Sequence, residues 1–441
     1  MIPTYNQVHF ICRFIDIANR YELGKKISQD NLHFKKSVIP ETDKLKVVQY
    51  IDQLGIGGSE RQLCNLSIRL YRIGMDVKIL TARKLYGKDA SYLPLLTVAS
   101  IETKKPRLNY SNSTVCRFKL NPPYFANYLY SLIDELISIK PDILHCWLDY
   151  PNVIGGIAGI MAGVPRIVLS GRSMNPTNFP IFNQPWFKGW YATLLKSKRV
   201  TLINNSKAGA EDYARWLNIP PSRIKVIYNG VDFDAMDNVK AEEAAAFRKS
   251  LGISQDCSLI AGVFRPDPQK LPFDFISVVK EVKKSISNVK CVIAGTGIMD
   301  REVKDRVEQE GLEDTILLLG GRTDIYRIIK ASDVMLLTSK IESMPNVLLE
   351  AQYLKVPIVA TNVGGVPETV EDGKSAILHP VGDIGGMAES IVRILRDKDY
   401  RQQMGLEGYK MMKDIFFMDR MVKDVLNVYC SDDRPNECLK T

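Results

Sequence analysis

Short apolar runs alternate with segments whose apolar residues recur every three to four positions, from about residue 46 to residue 361. The runs predict β-strands, and the periodic segments predict amphipathic α-helices. In the N-terminal half the predicted strands cover 46–51, 77–80, 142–145, 166–170, 200–204 and 224–228. Helices are predicted between them over 60–73, 151–162 and 208–217. This order of elements predicts a parallel sheet covered by helices.

A second alternation begins after a charged, alanine-rich segment near residue 240. Its predicted strands cover 258–262, 289–294, 315–320, 333–338 and 357–361. The sequence therefore predicts four parts: an N-terminal extension (1–44), a first doubly wound domain (45–235), a second (236–395), and C-terminal helices (396–441) that cross back to the first domain. Because doubly wound sheets bind ligands at the carboxyl ends of their strands, we expect the two domains to face each other across a ligand-binding cleft.

The N-terminal extension does not follow the alternation. Ile11, Phe14, Ile15, Ala18 and Tyr21 fall at helical spacing, which predicts an amphipathic helix. Packing against the first domain is the favoured interpretation, and contact with a membrane is the alternative.

The composition is that of an ordinary globular protein with two cores, because 45% of the 441 residues are hydrophobic and 25% are charged. No apolar run approaches the roughly 20 residues that cross a bilayer, and the opening residues do not resemble a secretory signal. The eight cysteines form no C-x-x-C pair. These features predict a cytoplasmic protein in a reducing compartment, without structural zinc.

The net charge of +9 is unevenly distributed. Residues 1–235 carry 31 Lys and Arg against 18 Asp and Glu (+13), and residues 236–441 carry 28 against 32 (−4). One basic stretch also holds aromatic residues: Lys188, Lys196, Lys198, Arg199 and Lys207 with Trp186, Phe187, Trp190 and Tyr191. This mixture predicts contact with anionic lipid headgroups. Nucleic acid is disfavoured because no known binding module is recognisable, and a merely solvated basic surface remains an equal alternative.

Two glutamates eight residues apart, Glu342 and Glu350, carry the clearest chemical signal. Pro345 suits a first helical position and Ser343 or Asn346 can cap, so a helix is predicted to begin between the two acids. Glu342 then lies in a loop where it can meet a sugar ring, and Glu350 lies about one turn inside the helix where it can accept from ribose hydroxyls. The free N–H groups between them can bind phosphate. The pattern predicts a sugar-nucleotide site. For this motif taken alone, an exposed acid followed by a helix surface acid is the favoured alternative.

Two cations, Arg265 and Lys270, lie five residues apart on a proline-rich loop that follows a predicted strand. A departing nucleoside diphosphate develops negative charge, which Arg and Lys can neutralise without a metal. Ordinary surface charge is the alternative interpretation.

Small residues follow the first predicted strand and lead directly into a helix, in the order Gly57, Gly58, Ser59, Glu60 and Arg61. This arrangement predicts an anion site at a helix N-terminus, with a plain tight turn as the equal alternative. A dehydrogenase is disfavoured, because Arg61 stands where the third glycine of G-x-G-x-x-G belongs.

His145 is one of four histidines and is predicted at the carboxyl end of the strand over 142–145. Ligand groups collect at such strand ends, so a functional role is favoured over that of a structural hydrogen bonder.

Two D-x-D triplets, at Asp232 and Asp234 and at Asp397 and Asp399, follow no predicted strand end at the cleft. Because such short triplets arise often by chance, we predict no catalytic metal.

These motifs, in this order over about residues 46–395, resemble glycosyltransferase family 4, retaining enzymes of GT-B fold. The most specific are Glu342 with Glu350, Arg265 with Lys270, and Gly57-Gly58-x-Glu60-Arg61. The resemblance implies catalytic roles for Glu342, His145, Arg265 and Lys270. It implies donor-binding roles for Gly57, Gly58, Gly295, Arg322, Ser343, Met344, Asn346, Val347 and Glu350.

The chain departs from the family pattern at four places in these motifs. Ser343 stands where the family usually has Gly, Gln269 replaces an acid, and Leu271 replaces the last Gly of the cation loop. In addition, Val263 and Phe264 lie between the Gly and the Arg of that loop. By resemblance, Ser343 narrows the space beside the donor sugar, and Leu271 alters the shape of the loop.

The resemblance implies a metal-independent enzyme that moves a hexose from a nucleoside diphosphate, most often UDP, to an acceptor hydroxyl with retention of anomeric configuration, without any cofactor. It also implies a lipid-linked saccharide acceptor in surface polysaccharide or glycolipid synthesis, and a location at the cytoplasmic face of the inner membrane. Two alternatives stay open: an inactive binding or assembly subunit of the same fold, which Ser343 and Leu271 favour, and a sugar-nucleotide epimerase.

Overall fold

The computed structural model describes residues 44–85, 87–107, 126–180 and 183–430. These residues form two compact units. The first comprises the described residues up to 205 together with 210–227 and 424–430, and the second comprises 206–209 and 228–423. The helix predicted in the N-terminal extension lies outside the described residues.

The sheet of the first unit is entirely parallel. Its seven strands are β1 (Lys46–Ile51), β2 (Asp76–Thr81), β3 (Glu102–Lys104), β4 (Ile143–Trp147), β5 (Arg166–Gly171), β6 (Val200–Asn204) and β7 (Ile224–Val226). They lie in the order β3-β2-β1-β4-β5-β6-β7. The chain reverses direction across the sheet between β1 and β4, which is the topological switch point of a doubly wound fold.

Six helices precede residue 220 in the described part of the chain. They are α1 (Gly58–Arg72), α2 (Leu93–Val98), α3 (Ala126–Ile139), α4 (Asp149–Met161), α5 (Phe187–Leu194) and α6 (Lys207–Leu217).

The second unit repeats this architecture with six parallel strands. They are β8 (Ser258–Val263), β9 (Val289–Ala294), β10 (Ile316–Gly320), β11 (Val334–Leu337), β12 (Ile358–Thr361) and β13 (Ala376–His379). Their order, β10-β9-β8-β11-β12-β13, places the switch point between β8 and β11.

The helices that follow β7 are, in chain order, α7 (Phe233–Asp237), α8 (Ala241–Ser250), α9 (Pro272–Ser285), α10 (Asp300–Gln309), α11 (Ile325–Lys330), α12 (Asn346–Tyr353), α13 (Val366–Thr369), α14 (Ile384–Arg396), α15 (Lys398–Ile415) and α16 (Met418–Cys430). The last of them, α16, carries the chain from the second unit into the residues 424–430 that cluster with the first.

Both faces of the second sheet are buried, which is why its strands read as continuous apolar runs. Successive residues of a strand point to opposite faces. Leu259 and Ala261 of β8 accordingly pack into one hydrophobic cluster, while Ile260 between them packs into the other. The prediction of two doubly wound α/β domains is confirmed.

Two strands, β3 and β13, do not appear among the predicted ones. Both lie at a sheet edge, have three or four residues, and are only partly buried. A short edge strand pairs with a neighbouring strand on one side only, so its residues need not be apolar. A search for apolar runs can therefore miss it.

The prediction of a surface that mixes aromatic and basic residues is wrong for the aromatic residues. Trp186, Phe187, Trp190 and Tyr191 are all buried in the core of the first unit. Phe187, Trp190, Tyr191 and Leu194 follow the i, i+3, i+4, i+7 spacing of a core-facing helix stripe. The basic residues divide between the two environments: Lys188, Lys196, Lys198 and Lys207 are exposed, whereas Arg199 is buried and donates to the carbonyl of Val164 at 2.9 Å.

In the described part of the chain, no helix is both long and apolar enough to cross a bilayer. Cys64, Cys146, Cys257 and Cys291 are buried free thiols. Burial raises the pKa of the Cys146 thiol, as expected for cysteines that act as small hydrophobes.

Candidate functional site

The cation loop and the loop that carries Glu342 leave the sheet on the two sides of the second switch point. The cation loop follows β8, and the Glu342 loop follows β11. Because β8 and β11 are neighbouring parallel strands, their carboxyl ends lie at the same sheet edge. This is where open α/β sheets bind ligands.

Backbone contacts tie the two loops together. The amide of Lys340 donates to the carbonyl of Gln269 at 2.7 Å, and the Thr338 hydroxyl donates to the carbonyl of Lys270 at 3.1 Å. The cation loop itself makes a single 3₁₀ turn, Pro268–Lys270, before α9 begins. The position of Lys270 is therefore fixed by the neighbouring loop as well as by its own turn.

Lys270 and Glu342 form an ion pair through Nζ and Oε1, with their side chains 19% and 10% exposed. The Ser339 hydroxyl donates to the same oxygen, Glu342 Oε1, at 2.6 Å. A buried carboxylate needs such partners, because leaving it unpaired costs several kcal/mol, on the order of 3–5. The structure thus brings together two of the predicted catalytic residues and adds Ser339.

Arg265 lies on the same loop but is more accessible than Lys270. Its side chain is 53% exposed and pairs with Asp267, which is 10% exposed. The other carboxylate oxygen of Asp267 accepts from the amide of Ile298 at 3.3 Å. Asp267 therefore links the cation loop to the turn after β9 and holds the Arg265 guanidinium by an ion pair.

Glycines allow close backbone contacts around these loops. Gly364 has φ +50, and a Cβ there would overlap the carbonyl oxygen of Glu342. Gly365 next to it donates its amide to that same carbonyl at 3.1 Å. Gly295, with φ +144, lies against the carbonyl of Phe264 in the same way, so a side chain would push the β9 turn away from the cation loop. Gly295 therefore has a packing role, and its donor-binding role stays a prediction.

Helix α12 begins between the two glutamates, as predicted, but not at the predicted residue. Pro345 occupies the N-cap position with φ −71 and ψ 109, and Asn346 is the first helical residue. Neither Ser343 nor Asn346 caps the helix, so that part of the prediction is wrong. Ser343 Oγ lies 2.7 Å from Ser206 Oγ instead, and Asn346 Oδ1 accepts from Asn229 at 2.6 Å. Both side chains are held by partners outside the helix.

The remaining predicted donor-binding residues of this segment differ in exposure. Glu350 is 3% exposed and Met344 is 5% exposed, whereas Val347 is partly exposed. The sulfur of Met344 accepts from the amide of Asn229 at 3.2 Å. Met344 therefore supports the loop from inside, and the role predicted for Glu350 toward ribose hydroxyls remains a prediction.

Arg322 follows β10 and forms a bidentate pair with Asp324, through Nε at 2.8 Å and through Nη2 at 2.6 Å. Each partner favours the charged form of the other, which raises the pKa of Arg322 and lowers that of Asp324. The Arg322 side chain is 39% exposed. Its predicted donor-binding role stays a prediction.

In the first unit, Gly57 is the N-cap of α1 and Gly58 is its first residue. The amide of Arg61 donates to the carbonyl of Gly57 at 3.1 Å. A Cβ on Gly57 would overlap the Glu60 carboxylate, so the glycine lets that acid fold back over the first turn. Acids are stabilised at this position by the helix dipole.

His145 does not end its strand. It is the middle residue of β4, which continues to Trp147, and the prediction of a strand-end histidine is wrong. The reason is that Cys146 and Trp147 extend the buried run, and both still pair with β5. His145 is 1% exposed and stacks on Trp147 at 4.8 Å. Its Nδ1 lies 2.8 Å from the hydroxyl of Tyr429.

The charge state of His145 follows from this environment. Burial, together with the nearby Arg172 cation, lowers the pKa of His145 to about 3. Arg172 lies over the Trp147 ring at 4.7 Å and is itself buried. His145 is therefore a neutral imidazole at physiological pH, suited to donate or accept a hydrogen bond but not to act as a cationic acid.

Each D-x-D triplet lies at the start of a helix. Asp232 is the N-cap residue of α7, and Asp397 caps α15 by accepting from the amide of Tyr400 at 2.9 Å. In the ranges that the structure describes, no group of three or more His, Cys, Asp or Glu side chains is placed to hold a metal ion.

Sequence reasoning missed Ser339, Asp267 and Tyr429. Asp267 lies only two residues after Arg265, so the sequence could have suggested it as a partner for that cation. Tyr429 gives no such signal, because it reaches His145 across 284 residues of chain.

Comparison with known proteins gives matches over most of the chain. The profile of the family described as Glycosyl transferases group 1 matches residues 243–411, and that described as Glycosyltransferase Family 4 matches residues 56–235. The chain is 26% identical to the Vi polysaccharide biosynthesis protein VipC/TviE of Salmonella typhi, over 86% of this chain and 71% of that protein. It is 30% identical to the UDP-Gal:alpha-D-GlcNAc-diphosphoundecaprenol alpha-1,3-galactosyltransferase of Escherichia coli, over 61% of this chain and 70% of that enzyme.

Among solved structures, Anabaena HepE in complex with UDP and glucose superposes with a TM-score of 0.75 at 20% identity. The match covers 88% of this chain and all of HepE. At this identity the likeness concerns the fold.

Proposed function

The chain belongs to the group 1 and family 4 glycosyltransferases, and from that premise we propose that it transfers a hexose from a UDP-sugar to an acceptor hydroxyl, with retention of anomeric configuration and without a metal. The acceptor is a lipid-linked saccharide used for cell-surface polysaccharide or glycolipid synthesis. The protein works at the cytoplasmic face of the membrane.

The observation that carries the proposal is the Lys270–Glu342 pair at the second switch point. A cation and a carboxylate side by side at this sheet edge can contact the two parts of a nucleotide sugar, its anionic diphosphate and its sugar hydroxyls. Lys270 and the accessible Arg265 face the charge that develops on the leaving diphosphate, and Glu342 faces the sugar hydroxyls. Two fixed cations can stabilise that charge electrostatically, which is the part that a metal plays in other transferases.

The reaction needs no enzyme nucleophile when the acceptor attacks from the face that the diphosphate leaves. The acceptor oxygen forms a bond to the anomeric carbon as the bond from that carbon to the diphosphate oxygen breaks. The acceptor proton passes to the departing diphosphate oxygen. Arg265 and Lys270 then bind the product anion, and Glu342 orients the sugar ring throughout.

The choice of UDP and of a lipid-linked acceptor rests on relatives. HepE is a neighbour in fold with UDP and glucose bound, and the name of the Escherichia coli relative specifies UDP-galactose and a diphosphoundecaprenol acceptor. An acceptor anchored in a membrane requires the enzyme to work at the membrane surface. The exposed Lys188, Lys196 and Lys198 supply charge that attracts anionic lipid.

A donor screen tests the proposal. Purified protein is mixed with UDP-, GDP- and ADP-sugars in the presence of EDTA, and both the thermal shift and the release of nucleoside diphosphate are measured. We expect one UDP-sugar to stabilise the protein and to be hydrolysed slowly with EDTA present. Stabilisation by no donor would support the inactive-subunit alternative, and turnover that EDTA abolishes would overturn metal independence.

Matched variants separate the site from general charge effects. Lys280 and Glu310 form another Lys–Glu pair in the second unit, with side chains 47% and 18% exposed. Lys280→Ala and Glu310→Gln should leave donor hydrolysis unchanged, whereas Lys270→Ala and Glu342→Gln should abolish most of it. Equal losses in both pairs would mean that the Lys270–Glu342 pair serves stability alone.

A further inference from the structure

Three hydrogen bonds connect four buried side chains in the first unit. Trp147 Nε1 donates to Gln49 Oε1 at 2.7 Å, Gln49 Nε2 lies 3.2 Å from the hydroxyl of Tyr429, and that hydroxyl lies 2.8 Å from His145 Nδ1. All four residues are at most 4% exposed. Gln49 and His145 are register partners on β1 and β4, and Tyr429 comes from α16.

The chemistry of these groups fixes the direction of every bond. The indole of Trp147 has a donor and no acceptor, so the oxygen of the Gln49 amide must face it. The Gln49 nitrogen must then donate to the Tyr429 oxygen. The Tyr429 proton has His145 Nδ1 as its acceptor, and Nδ1 must be unprotonated to receive it. A neutral imidazole with an unprotonated Nδ1 carries its proton on Nε2.

The Nε2–H group is left without a partner. It is buried, and no acceptor among the described residues reaches it. A buried donor without an acceptor costs about 1–3 kcal/mol, so such an atom calls for an explanation. An oxygen of a bound ligand would satisfy it.

We propose that Tyr429 is a positioning residue for the transfer reaction, which holds His145 in the Nε2–H tautomer so that this proton is donated to a hydroxyl oxygen of the bound acceptor. This inference rests on the proposed function. The structural basis is that Tyr429 belongs to the last described helix and meets the His145 ring edge-on, with ring centroids 5.8 Å apart. Through Tyr429, helix α16 therefore sets which nitrogen of His145 carries the proton.

Without the phenol, nothing would select the tautomer. In Tyr429→Phe the ring keeps its packing volume, but Nδ1 loses its donor and Gln49 loses an acceptor. His145 then divides between its two tautomers, and the form with an unprotonated Nε2 cannot donate. The lost hydrogen bond is one that His145 makes during the reaction, so the variant should lower the rate of transfer more than it weakens donor binding.

The first test needs no variant. The ¹⁵N shifts of the His145 imidazole in the full-length wild-type protein, measured at pH 7 by long-range ¹H–¹⁵N correlation, report which nitrogen carries the proton. We expect a protonated Nε2 and an unprotonated Nδ1. A protonated Nδ1 in the wild-type protein would overturn the proposal, whatever the activity.

The second test compares Tyr429→Phe with Tyr353→Phe. Tyr353 is also buried, and its hydroxyl donates to Asp237 at 2.7 Å, so its variant controls for the loss of a buried phenol. We expect Tyr429→Phe to lower kcat about tenfold to a hundredfold, the worth of one hydrogen bond, with KM for the donor changed less than about threefold. Tyr353→Phe should leave kcat within about twofold of the wild type.

The outcomes are separable from those of the donor screen. An unchanged kcat in a folded Tyr429→Phe protein, or an unchanged set of ¹⁵N shifts, would assign Tyr429 a packing role and leave the transferase proposal standing. A wild-type protein that binds no nucleotide sugar would remove the transferase proposal, and the expected tautomer would then be a structural property only.

Discussion

Lys270 and Glu342 pair with each other although 72 residues of chain separate them. They meet because β8 and β11 are adjacent strands and the loops after them share backbone hydrogen bonds. The charge arrangement proposed to hold the donor is therefore a product of strand order. Its parts respond to substitution in ways that can be measured.

Glu342→Gln and Arg265→Ala are each expected to lower kcat/KM for transfer by about two to four orders of magnitude, because each removes a positioned charge at the transition state. Steady-state kinetics with the donor found by screening measures this. Arg265 is the cleaner case for a charge effect, since its side chain is 53% exposed and its loss leaves no cavity. Near-wild-type kinetics in either variant would exclude that residue from the site.

Leu271 adopts a left-handed conformation, with φ +47 and ψ 57, at the point where the family usually has Gly. A β-branched residue is strained more than Leu in this region, so Leu271→Ile should lower the free energy of unfolding by about 1–2 kcal/mol. Leu271→Gly relieves strain but loses a half-buried side chain, and should stay within about 1 kcal/mol of the wild type. Urea denaturation compares the two, and an Ile variant as stable as the Gly variant would contradict the account.

Burial of neutral His145 should make the free energy of unfolding decrease as the pH falls. Because its folded pKa of about 3 lies below the unfolded value near 6.5, its contribution is present above pH 6.5 and is lost as the pH falls toward 3. Between pH 7 and pH 5 the loss amounts to about 2 kcal/mol. Urea denaturation at both pH values measures it, and His145→Asn should lack this component. Equal pH dependence in the two proteins would show that His145 is protonated normally.

Ser343→Gly restores the family residue and removes the contact with Ser206 Oγ. We expect the free energy of unfolding to fall by about 1 kcal/mol, the usual net worth of a hydrogen bond. Because the hydroxyl is directed at Ser206, the ratio of kcat/KM between two competing donors should change by less than about threefold. A larger change in donor preference would place the Ser343 side chain beside the donor sugar.

Replacing Lys188, Lys196 and Lys198 together with Gln should weaken binding to phosphatidylglycerol vesicles by about one to two orders of magnitude at low salt, since each lysine near the surface contributes about 1 kcal/mol at most. Cosedimentation across a salt series measures this. Lys284, Lys304 and Lys374 in the second unit, with side chains 63–67% exposed, provide the matched triple control. Failure of the wild-type protein to bind at any salt concentration would favour a soluble acceptor.

The sequence alone predicted the inner strands of both sheets closely. β1, β6 and β9 have exactly the predicted bounds, because an inner parallel strand is buried on both faces and must be a continuous apolar run. The edge strands β3 and β13 were not predicted, because an edge strand does not need such a run. The strand β4 was predicted to end at His145, because a polar residue within a buried run resembles the end of the run.

The sequence by itself determined the residue types, their spacing within each loop, and the doubly wound class, because these depend on local periodicity and on short turns. The pairing of Lys270 with Glu342 and of His145 with Tyr429 was decided only by the tertiary structure, since strand order and helix docking bring together residues 72 and 284 positions apart. The burial of Trp190 and the contact between Ser343 and Ser206 were also decided only by the tertiary structure. A linear pattern specifies which groups are present, whereas the partners that satisfy a buried charge or donor exist only once distant segments have packed.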